Sequence, residues 1–211
     1  ELVRLAAKLY RSITHHSLSG TIRLGFEKII NRLKQLSPKE RRLRAQEREE
    51  ELEFDRKWGI DTAGIVPTER NGVNSSNRAF GTRYQAGNPK ALDALLAQSG
   101  IEFSKSSFID LGSGKGRMIL VAARHPFQKV IGVEYSEQLN QIARANLERF
   151  PAEEIQCGEV EIVTADASQF TFPGTPLVLF LYHPFGEPVM SKVAQNVKQV
   201  VESQSLSATV I

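Results

Sequence analysis

Leu2, Leu5, Ala6, Leu9 and Ile13 recur every three or four positions, as do Ile22, Phe26, Ile29, Ile30, Leu33 and Leu36. That spacing predicts two amphipathic helices. Ser19-Gly20-Thr21 separates them and offers a cap to the second. A third helix is predicted from Ser37-Pro38, since proline is tolerated in the first turn. It continues through "KERRLRAQEREEELEFDRKW", whose mixed charges favour i,i+4 pairs. Its apolar side is thin, comprising Leu43, Leu52, Phe54 and Trp58. The first 58 residues thus form a helical extension.

The pattern then fades. Residues 59–88, "GIDTAGIVPTERNGVNSSNRAFGTRYQAGN", hold five glycines and four asparagines, which mark turns. A segment this long without periodicity is commonly a lid, a binding loop or a linker. Ile60, Ile65, Val66, Phe80 and Tyr84 are too apolar for a tether, so an ordered loop folded over the following domain is expected.

From residue 89 to 211 the pattern is regular. A helix over 89–98 precedes a strand at Ser107–Leu111, and a glycine-rich turn opens a helix through Arg124. "KVIGVE" reads as a second strand, followed by a helix over 137–149. "VEIVTAD" and "PLVLFLY" are the third and fourth strands, and a helix over 187–203 leads into "ATVI". Apolar strands alternating with helices predict an α/β fold, a doubly wound and mostly parallel sheet covered on both faces.

Composition bounds the function classes. With 211 residues, 41% hydrophobic and 24% charged, one domain with an appendage is expected. No apolar run approaches the roughly 20 residues of a membrane-spanning helix. Cys157 is the single cysteine, so no internal disulfide forms, and no Cys/His cluster has zinc-like spacing. A cytoplasmic, reducing location and no metal are expected. Charge is uneven: residues 1–57 carry 14 Lys and Arg against 9 Asp and Glu. A basic appendage suits nucleic acid or an anionic surface, but also the solvated side of a helical bundle.

The chemistry centres on "FIDLGSGKGRMIL", residues 108–120, with three glycines in five positions. Glycine permits dihedrals closed to other residues and lacks the Cβ that would block a close approach. In doubly wound sheets ligands bind outside the carboxyl ends of the strands, where Asp110, Gly112, Gly114 and Gly116 fall. The helix that follows would turn its free N–H groups towards the same place. This much suits NAD and several other nucleotides. Two features separate them. The spacing is Gly-x-Gly-x-Gly, not the dinucleotide G-x-G-x-x-G. And Asp110, ahead of the turn, would repel a pyrophosphate while attracting an ammonium or sulfonium group.

"FIDLGSGKGR" resembles the first motif of class I S-adenosylmethionine-dependent methyltransferases. The likeness extends through "VIGVEYS", "VTADAS" and "LYHPFG", over roughly residues 105–186. The resemblance implies a Rossmann-like methyltransferase domain that binds S-adenosylmethionine and releases S-adenosylhomocysteine. It places the cofactor against Asp110, Gly112, Ser113, Gly114 and Gly116. Glu134 would accept the ribose hydroxyls, or else stand as a charge at a strand end. Asp166, with Ala167 beside it, would meet the adenine amino group, unless it merely caps a turn. Tyr135 would cover the adenine face or pack as a core aromatic, and Tyr84 would close over the cofactor as part of a lid. Arg117 would hold the turn by pairing with an acid, or lie exposed.

"YHPFG" at Tyr182–Gly186 is similar to the (Asn/Asp)-Pro-Pro-(Tyr/Phe) sequence of family members that methylate amino groups. Pro184 and Phe185 are kept, one proline is missing, and His183 stands where Asn or Asp is usual. Tyr182, His183 and Phe185 are the candidate catalytic residues, with His183 able to orient the acceptor or take its proton or simply to bond the backbone. The expected reaction is in-line methyl transfer to a nitrogen on a protein lysine or a small amine, a likeness shared with non-SET protein-lysine methyltransferases and bacterial relatives. Two other readings stand beside it: an RNA methyltransferase that uses the basic helices on phosphates, and a non-catalytic assembly module. The family's sheet has seven strands, and this chain supplies five. "ATVI" reads as a strand cut short, so a longer natural chain or a partner over that edge is expected.

Overall fold

The computed structural model describes residues 37–66, 84–182 and 184–211. The two helices predicted within 1–36, the stretch 67–83 and His183 lie outside the described residues. Contacts divide the chain after Glu50. Of the first unit, the description covers the leading part of helix α1 (Pro38–Trp58), which starts at the predicted proline.

Within the second unit the end of α1 has its apolar side. Phe54 and Trp58 pack on Ile60, Leu120 and Phe150, with the Trp58 and Phe150 rings 4.9 Å apart. Leu52, expected on that side, is exposed. A two-residue antiparallel ladder follows, β1 (Ile65–Val66) against β2 (Tyr84–Gln85). It brings the two ends of the glycine- and asparagine-rich segment together. Helix α2 (Pro89–Gln98) begins at Asn88, whose side chain accepts from the backbone N–H of Lys90 at 2.9 Å and Ala91 at 3.3 Å. This satisfies donors that a helix start leaves open.

Five parallel strands build the sheet: β3 (Ser107–Leu111), β4 (Lys129–Glu134), β5 (Val160–Thr164), β6 (Leu177–Phe180) and β7 (Ala208–Val210). Their order is β5-β4-β3-β6-β7. The chain winds outward from β3 through helix α3 (Arg117–Ala123) and helix α4 (Glu137–Arg149). It then returns to β6 on the other side of β3 and reaches β7 through helix α5 (Glu187–Gln204). The order therefore reverses at β3, and the turns after β3 and β6 diverge there. A crevice at such a reversal is where open α/β sheets bind ligands.

Alternation divides the strands between two cores. Phe108, Val130, Val178 and Phe180 face α2 and α3, packing on Leu92, Leu96, Met118 and Val121. Ile109, Leu111, Ile131, Leu177 and Leu179 face the other way, against Val189 and Val193 of α5. Each such fully buried side chain contributes about 1.5–3 kcal/mol, so both faces hold the strand ends in place. The fold is the doubly wound, Rossmann-like architecture of the resemblance.

Two strands end earlier than their apolar runs. β5 stops at Thr164 and not at Asp166, because the Asp166 carboxylate accepts the Ser168 N–H at 2.9 Å and starts the short turn Ala167–Gln169. A side chain competing for backbone donors ends regular structure in this way. β6 stops at Phe180, two residues before Tyr182. Of "ATVI", Ala208–Val210 forms an exposed strand parallel to β6, while Ile211 packs partly buried on the α2–α3 core. No helix among the described residues is long and apolar enough to cross a membrane.

Candidate functional site

All three glycines of the turn after β3 have positive φ: +89° at Gly112, +54° at Gly114 and +85° at Gly116. L side chains rarely take this conformation. The close approach inferred from the sequence exists, and protein groups make it. A Cβ at Gly114 would stand 2.2 Å from the Tyr84 ring, and one at Gly112 would stand 2.5 Å from Cβ of Pro184. At Gly116 it would meet Ala143 of α4 at 3.1 Å. The turn is thus flanked by the β2 aromatic, by the segment after β6 and by α4.

The amides of the turn are largely committed. Gly112 and Ser113 donate to the Val133 carbonyl at 2.8 and 3.2 Å, and Gly116 to the Ser113 carbonyl at 2.9 Å. Gly114 donates to Oε2 of Glu134 at 3.0 Å. Most of these amides point inward, because the β3–β4 register sets Val133 opposite Leu111 and Glu134 level with the turn. A pyrophosphate cradle needs those donors open, so this turn is poorly suited to one.

Anionic groups dominate instead. Asp110, next to last in β3, and Glu134, last in β4, stand on adjacent strands, both 4% exposed. Burial, reinforced by the Glu134 charge, pushes the Asp110 carboxyl up to about 8. Burial also raises Glu134, partly offset by N–H groups including those of Ser136 and Gly114. No hydrogen bond reaches the Asp110 carboxyl among the described residues, and the Ser113 hydroxyl is buried without a partner. A buried acid beside another acid costs free energy unless a cation or donor arrives. The arrangement fits a ligand with a cationic end at Asp110 and hydroxyl groups at Glu134.

A strap, residues 60–63, closes one side. Asp55 of α1 accepts from Thr62 N at 2.7 Å, from Ala63 N at 2.6 Å and from the Thr62 hydroxyl. Arg117, the first residue of α3, donates from Nε to the Thr62 hydroxyl at 2.6 Å and from Nη2 to Asp55 at 3.2 Å and the Glu51 carbonyl at 3.0 Å. At 1% exposure it is buried, which decides between the two sequence readings in favour of pairing. Lys115 reaches from the turn to Asp61 at 2.7 Å and to the Ala63 carbonyl at 3.0 Å. Asn146 of α4 exchanges hydrogen bonds with the Asp61 backbone at 2.8 and 2.9 Å.

Removing one partner of a buried pair strands the other, at a cost of about 3–5 kcal/mol. Arg117→Leu is therefore expected to lower the thermal midpoint by several degrees. Adding Asp55→Leu should not recover the loss, because it also takes the acceptor from the Thr62 and Ala63 amides. Thermal melts of the two variants check this, and an unshifted single variant would contradict it.

The other predicted residues are spread around the crevice. Tyr135 is half-buried and follows Glu134 directly. Asp166 caps its turn through one carboxylate oxygen, which also accepts from the Ser168 hydroxyl at 2.7 Å. The Ala167 side chain is buried in the α5-side core, so any ligand contact falls to its backbone. Tyr182 is exposed, while Phe185 is partly buried against the same core. Asp55, Thr62, Lys115, Asn140 and Asn146 escaped sequence reasoning. Asn140 fixes the strand ends, donating to the Glu134 carbonyl at 3.0 Å and the Thr164 hydroxyl at 2.8 Å. Two asparagines inside a helix were the available signal, since asparagine is a weak helix former that commonly serves a hydrogen bond.

Residues 108–204 match the family model of a methyltransferase domain. No curated protein matches the chain. Solved structures with similarity include the glycopeptide N-methyltransferase MtfA complexed with S-adenosyl-L-methionine, at 18% identity and a TM-score of 0.42, covering 55% of this chain and 50% of that one. An S-adenosyl-L-homocysteine complex of a methyltransferase from Thiobacillus denitrificans has 22% identity and a TM-score of 0.38, covering 51% and 44%. An RNA methyltransferase from Salinibacter ruber, also with S-adenosyl-L-homocysteine, has 24% identity and a TM-score of 0.36, covering 60% and 72%. The chain spans about half the length of the first such structures, 53%, 45% and 50%.

Proposed function

We propose, on the premise that residues 108–204 are a methyltransferase domain, that this protein transfers a methyl group from S-adenosylmethionine to a nitrogen acceptor. The observation that carries the reading is the pair of buried carboxylates, Asp110 and Glu134, flanking a glycine turn whose amides are already engaged. Such a site favours a cationic, hydroxyl-bearing ligand over an anionic one.

When bound, S-adenosylmethionine supplies a methyl on a sulfonium, already activated for displacement. What remains for the chain is alignment, which is worth roughly 7–11 kcal/mol in well-oriented cases. Asp110 balances the amino end of the cofactor, the Ser113 hydroxyl offers a further hydrogen bond, and Glu134 takes the ribose. Asp166 and Tyr135 border the adenine. The acceptor enters beside Tyr182, His183 and Phe185, after β6, where Pro184 already touches the glycine turn. The likeness of "YHPFG" to the amine-methylating motif supports nitrogen, on a protein lysine or a small amine. His183 takes the acceptor's proton in this reading.

Isothermal titration with S-adenosylmethionine and S-adenosylhomocysteine tests the cofactor, and transfer of a labelled methyl to lysine-rich protein, small amines and RNA tests the acceptor. Saturable binding with a dissociation constant in the micromolar range is expected. Absence of binding would overturn the reading. Transfer to RNA alone would move the acceptor to nucleic acid.

A further inference from the structure

Tyr84 sets the Cδ2–Cε2 edge of its ring against the glycine turn, close enough that no side chain fits at Gly114. What holds the ring there is the 60–63 strap. The Tyr84 hydroxyl donates to the Thr62 carbonyl at 2.6 Å. The N–H and hydroxyl of Thr62 in turn donate to Asp55, and the hydroxyl also accepts from Nε of Arg117. Arg117 and Asp55 are themselves bonded, 3.2 Å apart. Thr62 is fully buried, at 0% exposure. The relay closes on itself, because Arg117 opens the helix that the glycine turn begins. Tyr84 thus meets the turn twice: by its ring at Gly114, and through Thr62 at the foot of α3.

We propose that Thr62, held by Asp55 and Arg117, is a positioning residue that sets Tyr84 on the glycine turn and thereby tunes cofactor affinity. The inference rests on the cofactor reading above and adds to it the end of α1 and the 60–63 strap. Movement of the ring away from Gly114 requires the Tyr84–Thr62 bond to break, or the strap to move with it. Both alternatives put the Thr62 and Ala63 amides, which donate to Asp55, in the path of any change at the turn.

A double-mutant cycle separates positioning from simple support of the fold. Thr62→Val keeps the shape and removes the hydroxyl. It is expected to weaken binding of S-adenosylhomocysteine about tenfold, and by less than twofold once Tyr84→Ala is present, because coupled residues are not additive. Tyr84→Phe, which keeps the ring and loses one hydrogen bond, should weaken binding severalfold. Equal losses from Thr62→Val in both backgrounds, or no loss in either, would overturn the proposal.

Hydrogen exchange gives a readout that does not need catalysis. S-adenosylhomocysteine should slow exchange at the Thr62 and Ala63 amides of the unaltered protein and leave it unchanged in Tyr84→Ala. If the unaltered protein binds no cofactor, the functional reading fails by itself. The relay is then judged in the unliganded protein, where Tyr84→Phe should accelerate exchange at both amides and unchanged rates would overturn it. Should Thr62→Val not fold, Tyr84→Phe carries the same decision.

Discussion

Asp110→Asn is expected to weaken S-adenosylmethionine binding at least a hundredfold at pH 8 and to erase its dependence on pH. The native carboxyl stands at about 8, raised by burial and by the Glu134 charge. A cationic ligand favours the ionised form, so binding below that value must expel a proton. Affinity of the unaltered protein should therefore rise up to tenfold per pH unit between pH 6 and 8. The variant, having nothing to ionise, should show a flat and weak profile. A titration series across that range checks both halves, and an equally steep profile in Asp110→Asn would assign the proton elsewhere.

Stability should move in the opposite direction. Between about 4 and 8 the folded chain holds a proton on Asp110 that the unfolded chain has released, so this group's contribution to stability falls as pH rises through that window. Asp110→Asn removes the decline. It should gain on the unaltered protein with increasing pH, by at most about 1.4 kcal/mol per unit, as read by denaturant unfolding at pH 5, 7 and 8.5. A variant that is more stable yet does not bind is what a carboxylate kept for its ligand should produce.

Gly114→Ala should have the second large effect. Its φ of +54° alone costs a side chain about 1–2 kcal/mol. The new methyl would also stand 2.2 Å from a ring held through its hydroxyl, and overpacking typically adds about 1–3 kcal/mol. A loss of about 2–5 kcal/mol in stability and of measurable cofactor binding is expected. Tyr84→Ala in the same chain should return the overpacking part of the stability, because the obstructing ring is gone. It should not return binding, because the Tyr84 ring that sits on the turn is then lost as well. Recovery of binding together with stability would mean that Gly114 serves only Tyr84.

Much of this architecture was legible along the chain. The apolar runs "SFIDL", "KVIGVE" and "PLVLF" are short and bounded by turn residues, which is sufficient for buried strands. The predicted helix over 137–149 matches α4 because its cap, Ser136, and its apolar spacing are local properties. The glycine turn was visible for the same reason. Ends were less visible where a side chain captured a backbone donor, as Asp166 does. The roles of Asp55 and Thr62 were not visible at all, since "DTAG" has no period and the partner they share, Arg117, lies 62 and 55 residues away.

The sequence by itself determined which segments become strands and helices, that the strands are parallel, and that an acid and three glycines fall at the end of the first strand of the sheet. Periodicity and capping are short-range, and they act before any tertiary contact exists. Only the tertiary structure decided that Glu134 comes level with the glycine turn, that the turn's amides face inward to Val133 and Glu134, that Tyr84 rather than open space covers Gly114, and that Arg117 points back to Asp55. Those outcomes depend on strand register and on which distant groups share a buried volume. There an unpaired charge or donor costs several kcal/mol, so the pairing is settled by what the whole fold brings within reach.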